Sequence, residues 1–247
     1  SGERLVFGER PNLRAPKWSP DGTQILFVRG DEFLDCYVLN DGRCMEDVWI
    51  RANKPWLDLD ELPRRKEPKY KLAVVDAAGG GFRDLPSLAT AQAPDWSGGR
   101  IVYQSRAGLQ ILAADASAPG LNDLLYFDIL KQYHQDPDWQ PDGGTIVFQQ
   151  REAAHWEIFA INPDGSGRHA LTRPVTALVD ALPSNVAPAW SPDGRQIAFL
   201  SNRTAQHDVG PWRVWVMAAD GSNPRPLPLN VTLEYGFGSE QILDWGP

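Results

Sequence analysis

The 247-residue chain is poor in most of the groups that do chemistry. It has two cysteines and four histidines, and the histidines (His134, His155, His169 and His207) are dispersed, with no pair at helical spacing. No G-x-S-x-G elbow occurs, and Gly236-Phe237-Gly238-Ser239 does not fit one. The glycines of Ala77–Phe82 lack the lysine and following helix of a phosphate-cradling loop and read as a turn. No apolar run approaches the roughly 18–20 residues of a membrane-spanning helix, so membrane insertion is not expected. Net charge is −8 with no basic stripe; the densest basic run, Arg64-Arg65-Lys66, is hemmed in by Glu61 and Glu67. This balance argues against a nucleic-acid partner or an anionic membrane surface. No signal-peptide pattern opens the chain, and Ser1-Gly2 reads either as a cloning scar or as the stub of a processed or trimmed protein, which leaves export open.

Turn formers and aromatics are abundant: 22 glycines, 21 prolines and ten tryptophans. Their order is repetitive. "KWSPDGTQILFVRG" starts at Lys17, "DWSGGRIVYQSR" at Asp95, "DWQPDGGTIVFQQR" at Asp138 and "AWSPDGRQIAFLSNR" at Ala189, with a fifth echo in "LDWGP" around Trp245. Between several of these lies a second element, such as "HWEIFAINPDGSG" from His155 and "RVWVMAADGSN" from Arg213. Each copy reads as four short strands: one ending at Trp, a Pro-Asp-Gly turn, an apolar second strand, a third strand, and a Gly-rich turn into a short polar fourth. Proline presets φ, aspartate bonds the backbone ahead of it and glycine takes positive φ. Asp21, Asp142 and Asp193 are therefore turn formers rather than catalytic acids. The repeated Trp suits the gap between neighbouring twisted sheets. Four strands per 40–50 residues is the signature of a propeller blade. Helical periodicity is confined to a turn or two near Asp58–Leu62 and Leu124–Gln132.

On these residues the chain resembles the TolB-type (WD40-like, PD40) β-propeller repeat family, from about Pro16 to Trp245. The expected fold is all-β: four-stranded antiparallel blades in a single domain over residues 1–247. Successive Trp spacings of 78, 43, 51 and 55 residues favour five blades with an insertion of about 31–68 in the first. The alternative is six blades, the second starting at Trp56. Joining "LDWGP" to "SGERLVFGERP" imitates the repeat, so the C-terminal Trp strand is expected beside Arg4–Glu9, closing the ring. That junction supplies only about two strands; the last blade is thin, or the chain is cut from a longer protein.

Three candidate sites emerge. Lys17, Asp95, Asp138, Ala189 and Asp244 precede the repeat Trp residues, and in a propeller these positions sit near the central channel. Lys17, Asp95, Asp138 and Asp244 could hold a cation or a basic side chain there, or they satisfy backbone donors in the blade interface. Residues 31–68 are the second candidate, since departures from a repeat mark binding faces, and Trp56 is its ligand-binding candidate. Thirdly, Cys36 and Cys44 flank an Asn-Asp-Gly turn, where they either form a hairpin disulfide, implying an extracytoplasmic protein, or remain free thiols. His155 and His207 read as solvated residues of loops between second and third strands.

The resemblance implies a bacterial, extracytoplasmic propeller that engages a protein, peptide or small ligand near the channel mouth. No cofactor or metal is expected, the chain is expected to be monomeric, and the residues present predict no enzyme. The alternative is a sensor or substrate-gating propeller cut from a larger surface, signalling or hydrolase protein, since similar propellers gate prolyl-oligopeptidase-type hydrolases and some relatives are lyases.

Overall fold

The protein is described by a computed structural model covering residues 6–8, 12–117, 122–126, 133–175, 181–237 and 242–246. Its strands in chain order are β1 (Leu13–Trp18), β2 (Gln24–Val38), β3 (Cys44–Met45), β4 (Arg64–Asp76), β5 (Arg83–Asp84), β6 (Gln92–Ser97), β7 (Arg100–Ser105), β8 (Gly108–Ala113), β9 (Asn122–Tyr126), β10 (His134–Trp139), β11 (Ile146–Glu152), β12 (His155–Ile161), β13 (His169–Ala170), β14 (Asn185–Trp190), β15 (Gln196–Arg203), β16 (Val209–Ala218) and β17 (Arg225–Pro226). One α-helix, α1 (Asp47–Asn53), and a 3-10 turn, Leu59–Glu61, lie between β3 and β4. No described helix is long and apolar enough to cross a membrane.

The strands form four antiparallel meanders, β1-β2-β4-β5, β6-β7-β8-β9, β10-β11-β12-β13 and β14-β15-β16-β17, with β3 added to β2. The first two belong to one compact unit, residues 1–129, and the other two to a second, residues 130–247. In the first unit, Leu26, Val28, Leu72 and Val74 of one sheet pack with Ile101 and Tyr103 of the next. In the second, Trp190, Ile197 and Phe199 pack with Val147, Ile158 and Ala160 of the neighbouring sheet. Trp190 thus fills the gap between sheets, whereas Trp18 is 62% exposed.

The repeated turns have the expected mechanics. Asp21 accepts from the Ser19 hydroxyl (2.6 Å) and the Thr23 amide (3.0 Å), and Asp193 accepts from Ser191 (2.6 Å) and the Arg195 amide (3.1 Å). These bonds, Ser19's foremost, hold the exposed Asp21 carboxyl down at about 2.

A less obvious regularity lies upstream of each Trp. Ala15, Ala93, Asp136 and Ala187 all have φ between 43° and 50°, and each immediately precedes a proline. The ladder register shifts at the same four places, between Arg14 and Lys17, Gln92 and Asp95, Gln135 and Asp138, and Val186 and Ala189. Each first strand is therefore bulged, with proline where no amide is needed for the ladder. The bulge turns the residue before Trp.

Residues 31–68 do not start a blade. β2 and β4 stay paired from Gln24↔Asp76 out to Tyr37↔Arg64, with one register shift between Arg29 and Glu32. The segment is an arm grown from the second-to-third-strand hairpin of the first sheet, and Trp56 lies in a turn rather than a strand. No blade begins at Trp56. The helix α1 was not expected; it forms because Trp49 and Ile50, 0% and 1% exposed, drive one face into the core. The 3-10 turn falls where a helical turn was read. By contrast, β9 occupies 122–126, overturning a helical reading of 124–126, and 127–132 lie outside the described residues. Most of Arg4–Glu9 also lies outside them, so the expected closing strand pair does too, while Leu243–Trp245 carry no strand.

An alanine in the left-handed region costs about 1–2 kcal/mol relative to its usual conformations. Replacing the buried Ala187 by glycine should leave stability within about 1 kcal/mol, because relief of φ offsets the entropy lost. Ala187→Val should cost more than about 2 kcal/mol. Urea melts of both variants check the bulge.

Candidate functional site

In the first unit the arm is anchored at its root by Arg29. Only 4% exposed, Arg29 grips Asp84 through Nε (2.6 Å) and Nη2 (2.8 Å), and meets Asp31 (2.5 Å) and Glu32 (3.0 Å) through Nη1. Lys69 on the facing strand holds Glu32 at 2.5 Å. The Asp84 pairing is the main cause that raises the guanidinium further above its ordinary value. A buried cation ringed by three carboxylates fixes the geometry of its surroundings, because breaking any pair strands a charge. Two further contacts secure the arm: Glu46 accepts from the Ala89 amide, and Lys71 donates to the Ser87 carbonyl. Burial pushes the Glu46 carboxyl up and the Lys71 ammonium down.

Farther out, Cys36 and Cys44 are joined by a disulfide, Cα atoms 5.3 Å apart, and both are buried. On the neighbouring β4, Glu67 is clasped by Arg65 (2.5 Å) and by Arg106. The outward face of the arm is aromatic and cationic. Phe33 is 65% exposed with the Lys66 ammonium 5.4 Å from its ring centre. Arg64 lies 5.0 Å above Tyr37 and donates to its hydroxyl at 3.1 Å. Trp56 is 72% exposed with Lys54 at 5.7 Å. Each cation is drawn to the negative face of its ring. Trp49 is instead buried, and Leu57 half-buried against the core.

The residues before each Trp have distinct surroundings. In the first unit Lys17 and Asp95 approach at 3.9 Å, each side chain 12% exposed. In the second unit Asp138 Oδ2 accepts from the Trp190 backbone amide at 2.6 Å, tying one sheet to the next, and Asp244 is exposed.

Buried polar groups that sequence reasoning missed lie elsewhere in the second unit. His155 opens β12 and is buried, not a solvated loop residue, because the β11–β12 hairpin turns at Ala153-Ala154. Glu157, 2% exposed, accepts through Oε2 from Asn185 Nδ2 (2.8 Å) and from the Thr172 hydroxyl. Burial, against these bonds, pushes its carboxyl up to about 7. His134 packs edge-on against Phe148, ring centres 5.6 Å apart, and burial, with the charge of Arg168, pushes it down to about 4. Gln149 joins three segments: it donates to Gln135 (3.1 Å) and to the Tyr235 hydroxyl (2.9 Å), and accepts from the Ala187 amide (2.7 Å).

No family model matches the chain. A stretch of 68 residues is 40% identical to dipeptidyl-peptidase 5 of Porphyromonas gingivalis, covering 25% of this chain and 9% of that protein. Among solved structures, TolB from Acinetobacter baumannii superposes with a TM-score of 0.57 at 14% identity, over 90% of this chain and 45% of that one. Oligogalacturonate lyase from Vibrio parahaemolyticus gives 0.56 at 12% identity, over 92% and 57%. A puromycin-hydrolysing peptidase from Mycobacterium tuberculosis gives 0.53 at 14% identity, over 89% and 32%. The fold is TolB-like.

At these identities the superpositions speak to fold alone, and the chain spans about half or less of most of these proteins. They nevertheless correct the expectation of no enzyme. A lyase, a peptidase and a dipeptidyl-peptidase stand among the similar proteins beside TolB, so this fold does not separate enzymes from binding propellers.

Two outcomes follow from the geometry. Asp138→Ala should cost about 1–3 kcal/mol, by leaving the Trp190 amide without an acceptor, whereas Asp138→Asn keeps an oxygen there and should lose less; denaturant unfolding separates them. His134, lowered in the folded state, supports stability fully above its unfolded value of about 6.5. That support is lost as pH falls through about 4, at a cost of about 3 kcal/mol. In His134→Phe the fall in melting temperature between pH 6.5 and 4 should be visibly shallower.

Proposed function

We propose that this chain is the ligand-binding propeller of a larger, exported bacterial protein, and that the arm of residues 31–68 is where it meets a peptide or protein partner. The observation that carries this reading is the exposure of Phe33 and Trp56 on an arm whose root and middle are fastened by Arg29 and the Cys36–Cys44 disulfide. Large aromatic rings held rigidly in water lose little entropy on contact and supply most of the energy at protein interfaces. The disulfide supports residence in an oxidising compartment.

The 40% identity to a dipeptidyl-peptidase over 68 residues favours a peptide over a small ligand, and supports a substrate-admitting role beside a hydrolase domain. Lys17 and Asp95 in the first unit, and Asp138 and Asp244 in the second, are secondary candidates, each within its own unit. The arm takes priority because Asp138 already serves the Trp190 amide.

A random peptide library displayed on phage and panned against the oxidised protein tests the reading. Enrichment of a defined motif is expected. The double variant Phe33→Ala, Trp56→Ala should bind that motif at least about tenfold more weakly with its melting temperature within about 2 °C of the parent. No enrichment, or enrichment indifferent to the double variant, overturns it.

A further inference from the structure

The end of the β11–β12 hairpin holds polar atoms that the interactions described above leave without partners. Glu157 Oε2 is occupied by Thr172 and Asn185, but its Oε1 makes no hydrogen bond and is inaccessible to solvent. His155 Nε2 lies 3.3 Å from that oxygen, is equally buried, and makes no hydrogen bond either, since the two are not aligned for one. The donation from Asn185 Nδ2 to Glu157 fixes the orientation of the amide, and its carbonyl Oδ1 is left buried and unpartnered as well. Leaving such acceptors empty costs roughly 1–3 kcal/mol each, and three on adjoining residues is a concentration that packing does not explain.

A carboxylate oxygen and an imidazole nitrogen 3.3 Å apart, beside an amide bonded to the same carboxylate and carrying its own unpartnered oxygen, are donor types that a metal ion takes. We propose that His155, Glu157 and Asn185 form a zinc site. Two ligands about 2.1 Å from a tetrahedral zinc lie about 3.4 Å apart, close to the 3.3 Å between His155 Nε2 and Glu157 Oε1. Imidazole selects zinc over the harder calcium and magnesium, and the oxygens complete a donor set from which one position remains for water. A supporting bond is in place: the Thr172 hydroxyl donates to the other carboxylate oxygen, as the outer partners of metal ligands do. The three ligands come from the start of β12 and the start of β14, so the ion would clamp two sheets of the second unit together at one point.

The test uses the full chain with its disulfide oxidised, stripped with chelator and titrated with zinc chloride by calorimetry and by thermal melting. Binding of one zinc per chain and a rise in melting temperature are expected. Cobalt(II) in its place should give visible d–d absorption of a nitrogen- and oxygen-bound ion. His155→Gln should weaken binding at least tenfold. Glu157→Gln keeps an oxygen for Thr172 and Asn185 and so folds without the ion, and should weaken it similarly. His169→Ala, at an exposed site, should change nothing. Absence of a one-to-one site overturns the proposal, and so does zinc binding that both β12 variants retain. A metal response that His169→Ala abolishes overturns it as well.

Discussion

The constraint on which the rest depends is the bulge in the first strand of every sheet. A residue held at positive φ, followed by proline, inserts one extra position into the ladder just before the Trp. Without it the alternation of the strand would run on unbroken, and the residue before Trp would point to the opposite face. With it, Asp138 reaches the Trp190 amide of the next sheet and Lys17 approaches Asp95. Contact between sheets is thus set by a backbone irregularity and not by side-chain packing alone. Alanine fills the slot in three sheets, where its small side chain suits the crowding. Aspartate fills it once, at Asp136, a residue type that tolerates this conformation better.

Much of this was legible in the sequence. Pro, Asp and Gly act locally, so Ser19–Gly22 and Ser191–Gly194 fold as turns whatever surrounds them. The Trp spacing gave the unit length, and the long interval after Trp18 marked the arm. What escaped depends on tertiary contact. Nothing in "EDVWIRAN" has helical period, because its large apolar residues, Val48, Trp49 and Ile50, run consecutively. "HWE" reads as a solvated loop residue leading into an ordinary strand, since alternation alone does not reveal that the face of β12 carrying both His155 and Glu157 is covered. The bulge left a visible trace, the proline two residues before each Trp, but its positive φ falls on alanine, which carries no such signal. Arg29 was equally silent: its three carboxylates, Asp31, Glu32 and Asp84, come from two strands and only the fold assembles them.

The candidate sites also differ in what they ask of the protein. The Phe33 and Trp56 rings of the arm are exposed and contribute little to the core, although Trp49 of the same arm is buried in it. The His155–Glu157–Asn185 cluster is the reverse: it is dry, it joins two strands of different sheets, and any ligand there acts on stability as well as on recognition.

The anchoring of the arm by Arg29 has an evolutionary corollary. Because the root is locked by charges in the sheet itself and the middle is closed by its own disulfide, substitutions at the exposed Phe33 and Trp56 stay out of the core, whereas those at Trp49 and Ile50 enter it. The exposed ring positions of such a limb can change without disturbing the scaffold that its buried side chains help to build. The same division limits any graft: a foreign hairpin set between Glu32 and Lys69 would have to replace the core contacts of Leu39, Met45, Trp49 and Ile50.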